Sequence, residues 1–156
     1  MKRKKMYTIS IVIFLIDQIV KLFIINNMKV YEKITIIRNF FDIYYVRNEG
    51  AAFSTLWGER IIFIMIGIIV LISIHTYIEK KNNIKLLEQV ILGLLTGGIL
   101  GNLFDRIIHG YVIDFLSFTV FGYSFAVFNV ADVAIVVSCL IMIIECFRGE
   151  KDGKKF

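Results

Sequence analysis

Four stretches of this chain are each long and apolar enough to cross a lipid bilayer: Tyr7–Ile25, Ile61–Ile78, Leu86–Phe104 and Asn129–Phe147. About 20 helical residues span the hydrocarbon core, and backbone at that depth must satisfy its own polar groups, so each run is expected to be a transmembrane helix. This requirement explains why 58% of the 156 residues are hydrophobic. A soluble domain averages roughly 45–50%. The length is expected to hold a single integral membrane domain, residues 1–156, with no separate soluble catalytic module.

The third run is the least apolar, because Glu88 and four glycines, Gly93, Gly97, Gly98 and Gly101, dilute it. Small residues let helix backbones approach closely in lipid, and Gly93 with Gly97 is a GxxxG match. This run is expected to be the inner, packed helix.

A net charge of +5 raises the question of nucleic acid. The placement of the charges answers it. Lys2, Arg3, Lys4 and Lys5 precede the first run, Lys80, Lys81 and Lys85 follow the second, and Arg148, Lys151, Lys154 and Lys155 close the chain. That is the asymmetry of a topology signal, which predicts both termini in the cytoplasm and residues 26–60 and 105–128 outside. No nucleic-acid partner is expected. The first run contains Asp17 and Lys21 and is followed by Ile25-Asn26-Asn27-Met28 with no A-x-A-like site, so it reads as a retained anchor.

Within the outer segments, residues 40–46 and 112–121 are rich in aromatic and β-branched side chains that favour extended backbone, and Gly122-Tyr123 could turn the second back on itself. Seven aromatics between Tyr111 and Phe128 suit a membrane interface. The expected fold is therefore an all-α membrane protein of four transmembrane helices carrying a small, partly β extracytoplasmic platform.

The few acids near hydrocarbon depth carry the most information, since each costs several kcal/mol there unless paired or facing a polar cavity. Asp17 and Lys21 stand four apart, acid before base, in the order that favours an i,i+4 pair; the pair reads first as a structural one. Asn102, Asp105 and Arg106 share one helical face at the end of the third run. They read either as a charge pair closing a helix end or as a clamp in which Arg106 and Asn102 hold a substrate carbonyl or phosphate. Asn129-Val130-Ala131-Asp132 has the pattern of an N-cap with an acid at N3. Asp114 lies among Val112, Ile113, Phe115 and Leu116 with no partner close in sequence. Two acids brought together in a low-dielectric site titrate as a unit, one holding its proton, and can run aspartyl-protease chemistry. A separation of 18 positions does not by itself establish that Asp114 and Asp132 meet.

Five stretches, Asp17–Lys21, Arg47-Asn48-Glu49-Gly50-Ala51-Ala52-Phe53, Gly101–Arg106, Val112–Phe115 and Phe128–Asp132, resemble in order and spacing the motifs of the lipoprotein signal peptidase, or signal peptidase II, family. The resemblance implies a multi-pass protease of the bacterial cytoplasmic membrane that removes the signal peptide of diacylglyceryl-modified prolipoproteins just before the lipidated cysteine. It implies Asp114 and Asp132 as catalytic residues near the outer leaflet, with Asn48, Gly50, Asn102, Arg106 and Asn129 binding substrate. Asp17, Lys21 and Asp105 would be structural, and the segment around Asn48 would cover the bound peptide. A rival assignment pairs Asp105 with Asp132; Asp114 is preferred because Arg106, next to Asp105, would hold that acid ionised. The implied partners are prolipoproteins and membrane lipids, acting on a monomer.

No cofactor or metal is expected: His75 and His109 show no HExxH pattern, and Cys139 and Cys146 read as small buried apolar residues. No G-x-S-x-G supports a serine route, and a presenilin-like protease lacks its G-x-G-D. The alternative from another class is a small proton- or cation-coupled transporter working through Asp17 and an aqueous path. A purely structural subunit would leave the clustered outer polar residues unexplained.

Overall fold

The structure, a computed structural model, describes residues 3–50 and 57–151. Four helices follow from the four apolar runs: α1 (Lys4–Asn27), α2 (Trp57–Lys80), α3 (Leu86–Ile108) and α4 (Val130–Lys151). All four are long and apolar enough to cross a membrane. α3 continues beyond the expected Phe104 to Ile108, so the outer segment expected from residue 105 begins as helix and Asp105 and Arg106 belong to the last turn of α3.

α3 packs on α1, α4 and α2 and is the most buried of the four. Its small residues allow this. A Cβ at Gly97 would lie 2.7 Å from the Ser10 carbonyl oxygen of α1, and one at Gly98 would lie 2.5 Å from the Ala131 carbonyl oxygen of α4. The GxxxG stripe therefore faces α1, and the next glycine along faces α4. The outward faces of the other helices carry exposed Ile11, Leu15, Ile19, Ile62, Ile69, Val136 and Leu140, a surface made for lipid.

At one end of the bundle Met6, Ile74, Ile78, Ile84 and Leu92 form an apolar cluster. There Glu88 is neutralised by Lys81 at 2.7 Å and by the Tyr77 hydroxyl, and Arg3 pairs with Glu79, so the acid that diluted the third run sits among partners.

The other end carries a four-stranded antiparallel sheet in the order β1 (Lys33–Ile37), β2 (Phe41–Asn48), β3 (Val112–Val120), β4 (Tyr123–Ser124). β2 and β3 match the two aromatic, β-branched segments; β1 was not singled out by its pattern and is a fully exposed edge strand. The turn comes one residue earlier than Gly122-Tyr123. Phe121 (φ 50°) and Gly122 (φ 81°) form the loop, both left-handed as a type I′ hairpin turn requires, and Tyr123 pairs with Val120. Ile113 and Phe115 on β3 pack with Tyr45, Ile24 and Met28, which anchors the sheet on the end of α1.

Candidate active site

Asp114, the third residue of β3, is 2% exposed. The facing side of its strand packs Ile113 and Phe115 on α1, and strand alternation turns Asp114 the opposite way. Its Oδ1 accepts a hydrogen bond from Asn129 Nδ2 at 2.7 Å, and its Oδ2 accepts one from Asn48 Nδ2 at 2.7 Å. Burial first, and then the negative charge of Asp132, raise its pKa to about 6, against the pull of the Asn48 and Asn129 hydrogen bonds and of Lys21.

Asp132 lies at the start of α4, and the capping pattern read from its sequence is realised: Asn129 Oδ1 accepts from the Asp132 N–H at 2.9 Å, and Asp132 Oδ2 accepts from the Asn129 N–H at 3.1 Å. The cap does not exhaust the carboxylate, whose Oδ1 accepts from Asn102 Nδ2 at 2.6 Å. Asn129 Nδ2 also donates to Asn102 Oδ1 at 3.0 Å. A continuous chain of amides thus joins the two acids, from Asp132 through Asn102 and Asn129 to Asp114 and on to Asn48. The 18 positions between the acids, too many to imply contact, are closed by β3, its hairpin and the return to α4.

Asn48, at the end of β2, is exposed and folds its Oδ1 back to the Gly50 N–H at 3.1 Å; Gly50 has φ 112°, which only glycine adopts easily. Ala51, Ala52 and Phe53 of the same motif lie outside the described residues. Arg106 is half-buried, donates to the Asn102 carbonyl at 3.2 Å, and stacks over Phe63 at 5.0 Å. Its guanidinium lies in the field of Asp132 first, and then of Asp114 and Asp105.

Asp105 stands apart from the amide chain, and the partner expected for it has to be corrected. That partner is not Arg106 but Lys21, whose Nζ lies 2.8 Å from Asp105 Oδ2 and 2.8 Å from Asp17 Oδ2. The structural pair read from the sequence is therefore a buried acid–base–acid cluster. Gln18, which the sequence did not single out, ties it together by donating to Asp17 Oδ2, Asp105 Oδ1 and the Gly101 carbonyl. A side-chain amide in an otherwise apolar span was the available signal for Gln18.

The arrangement suits proton transfer between two acids and a reacting amide. Among the described residues, no three His, Cys, Asp or Glu side chains converge as metal ligands would. His109 stacks on Tyr111, Cys146 is exposed, and Cys139 is half-buried.

Comparison with known proteins adds an independent line. The model of the signal peptidase (SPase) II family matches residues 9–148. A lipoprotein signal peptidase of Halothermothrix orenii is 40% identical over 147 residues, covering 94% of this chain and 98% of that protein. One of Anoxybacillus flavithermus is 38% identical, covering 95% of this chain and 88% of that protein. A bacterial membrane enzyme solved by the in meso method at 2.3 Å resolution superposes with a TM-score of 0.85 at 33% identity, covering 97% of this chain and 92% of the solved one.

Proposed function

This chain belongs to the signal peptidase II family and is a multi-pass bacterial membrane protease; from that premise we propose that it removes the signal peptide of diacylglyceryl-modified prolipoproteins, cutting before the lipidated cysteine with water activated by Asp114 and Asp132. The observation that carries the dyad is the amide chain linking these two acids, together with the occupation of Asp105 by Lys21.

Asp114, the more buried acid, holds the proton and donates it towards the scissile carbonyl oxygen. Asp132, half-exposed, takes a proton from water as the water oxygen attacks the carbonyl carbon. On collapse of the tetrahedral intermediate, Asp132 passes that proton to the leaving amide nitrogen while Asp114 recovers its own from the intermediate's hydroxyl. Asn102 and Asn129 keep the carboxylates aligned, Asn48 contacts Asp114 from the covering strand, and Arg106 is available to hold a peptide carbonyl beside the dyad. The basic residues at the helix ends away from the sheet orient both termini to the cytoplasm. The site then opens at the outer leaflet, where a lipid-anchored substrate presents its bond, and one chain contains every residue required. A transporter reading gains no support: Asp17 is fully buried and its oxygens are taken by Lys21, Gln18 and the Ala131 N–H.

Two measurements test the reading. Purified protein should release the signal peptide from diacylglyceryl-prolipoprotein, with mass spectrometry placing the cut before the modified cysteine, and unlipidated precursor should react about 10²-fold more slowly in kcat/KM because remote binding energy is lost. Equal rates on the two precursors would defeat lipid recognition. The second concerns pH. Asp114 titrates near 6 and its protonated form is the active one, so kcat/KM should fall about tenfold per unit as pH rises above that value. A profile rising through pH 6 would reverse the assigned roles.

A further inference from the structure

Lys21 is 1% exposed and lies one helix away from the reacting groups. An ammonium has three donors, and all three are used: Asp17 Oδ2 at 2.8 Å, Asp105 Oδ2 at 2.8 Å and Asn102 Oδ1 at 3.1 Å. The destination of each arm matters. Asp17 Oδ1 accepts from the N–H of Ala131, the residue before Asp132, at 2.9 Å. Asp105 Oδ2 accepts from the N–H of Ile113, the residue before Asp114, at 3.1 Å. Asn102 donates to the side chain of Asp132 itself and accepts from Asn129, the partner of Asp114.

We infer that Lys21 is the positioning residue of the active site, a single cation whose three hydrogen bonds set the placement of β3 and of the α4 N-terminus, and so of Asp114 relative to Asp132. It also fixes the Asn102 amide, because an oxygen facing Lys21 leaves only the NH2 to face Asp132. A pair that served only to neutralise charge within α1 would need Asp17 and Lys21 alone. The third arm to Asn102, and the backbone N–H groups gripped by both acids, turn the cluster into a clamp. This inference rests on the dyad reading given above; failure of that reading would appear in the Asp114 and Asp132 variants, whereas failure of this one appears only in Lys21 variants of an active enzyme.

The test uses two variants of the full chain in detergent micelles, each first checked for folding by thermal unfolding. The charge-relieved triple Lys21→Met, Asp17→Asn, Asp105→Asn removes the cation without stranding a buried carboxylate. Lys21→Arg keeps the charge but replaces the tetrahedral ammonium by a planar fork that cannot reproduce the three directions. Both are expected to lose about 10²-fold in kcat with KM changed less than about twofold, since the clamp touches no substrate and a misplacement near 1 Å has that effect. Wild-type kcat in a folded triple, or in Lys21→Arg if the triple does not fold, would overturn the inference and leave the cluster as charge neutralisation. A loss expressed in KM alone would overturn it as well, by making Lys21 a determinant of binding.

Discussion

Asp114→Asn is expected to lower signal-peptide cleavage by about 10³-fold or more, with the chain still folded, and Asp132→Asn to do the same. Asparagine keeps the size of each side chain but can neither hold the acidic proton nor take one from water. The fold should tolerate both changes. Burial raises the Asp114 pKa, so above its ordinary value of 3.8 the native state binds more protons at this site than the unfolded chain does, and the contribution to stability declines as pH climbs to about 6. Removing that ionisation by substitution takes away a cost at neutral pH rather than a support. In Asp132→Asn the new amide oxygen can still accept from the Asn129 N–H, so the cap is kept. Asp105→Asn is the informative companion. It weakens the pairing with Lys21 and should lower the unfolding temperature, but any loss of turnover should stay well below that of the dyad variants. A folded, inactive Asp105→Asn beside an active Asp114→Asn would transfer the catalytic role to Asp105.

The second large effect concerns packing. Gly98→Ala adds one methyl group, yet its Cβ would stand 2.5 Å from the Ala131 carbonyl oxygen and 2.7 Å from Ile135 Cγ1. A backbone oxygen cannot rotate away, so α4 has to move off α3, at a cost of about 3 kcal/mol. Ala131 precedes Asp132, so the displacement reaches the site and activity should fall along with stability. Gly67→Ala is the matched control: its Cβ would meet Leu103 and Ile99 at 3.6 and 3.7 Å, ordinary contact, and the better helix propensity of alanine should leave stability equal or slightly raised. Equal unfolding temperatures for the two variants in the same detergent would refute the close α3–α4 approach as a determinant of the fold.

Legibility in the sequence followed the range of the interaction. Spans were readable because lipid imposes a length and an apolarity on any helix within it, and the packed character of α3 was readable because glycine at four-residue spacing has few other uses in a membrane. β2 and β3 showed through their aromatic and β-branched residues, whereas β1, an exposed edge strand, carried no burial pattern to find. The cap joining Asn129 to Asp132 spans three positions and was visible as a motif. The partner of Asp105 was not: adjacency pointed to Arg106, but neighbouring residues on a helix point about 100° apart, and rotation of α3 against α1 aims Asp105 at Lys21, 84 positions earlier.

Composition and pattern alone thus determined a four-span membrane chain with a small sheet and a short set of polar residues that lipid makes expensive. Only the tertiary structure decided which of those residues meet. Whether Asp114 joins Asp132 through Asn129 and Asn102 or is spent on a cation depends on how helices rotate as their glycine faces close, and on which side of β3 packs against α1. Both are set by contacts between segments far apart in the chain, where hydrophobic periodicity carries no information about partners.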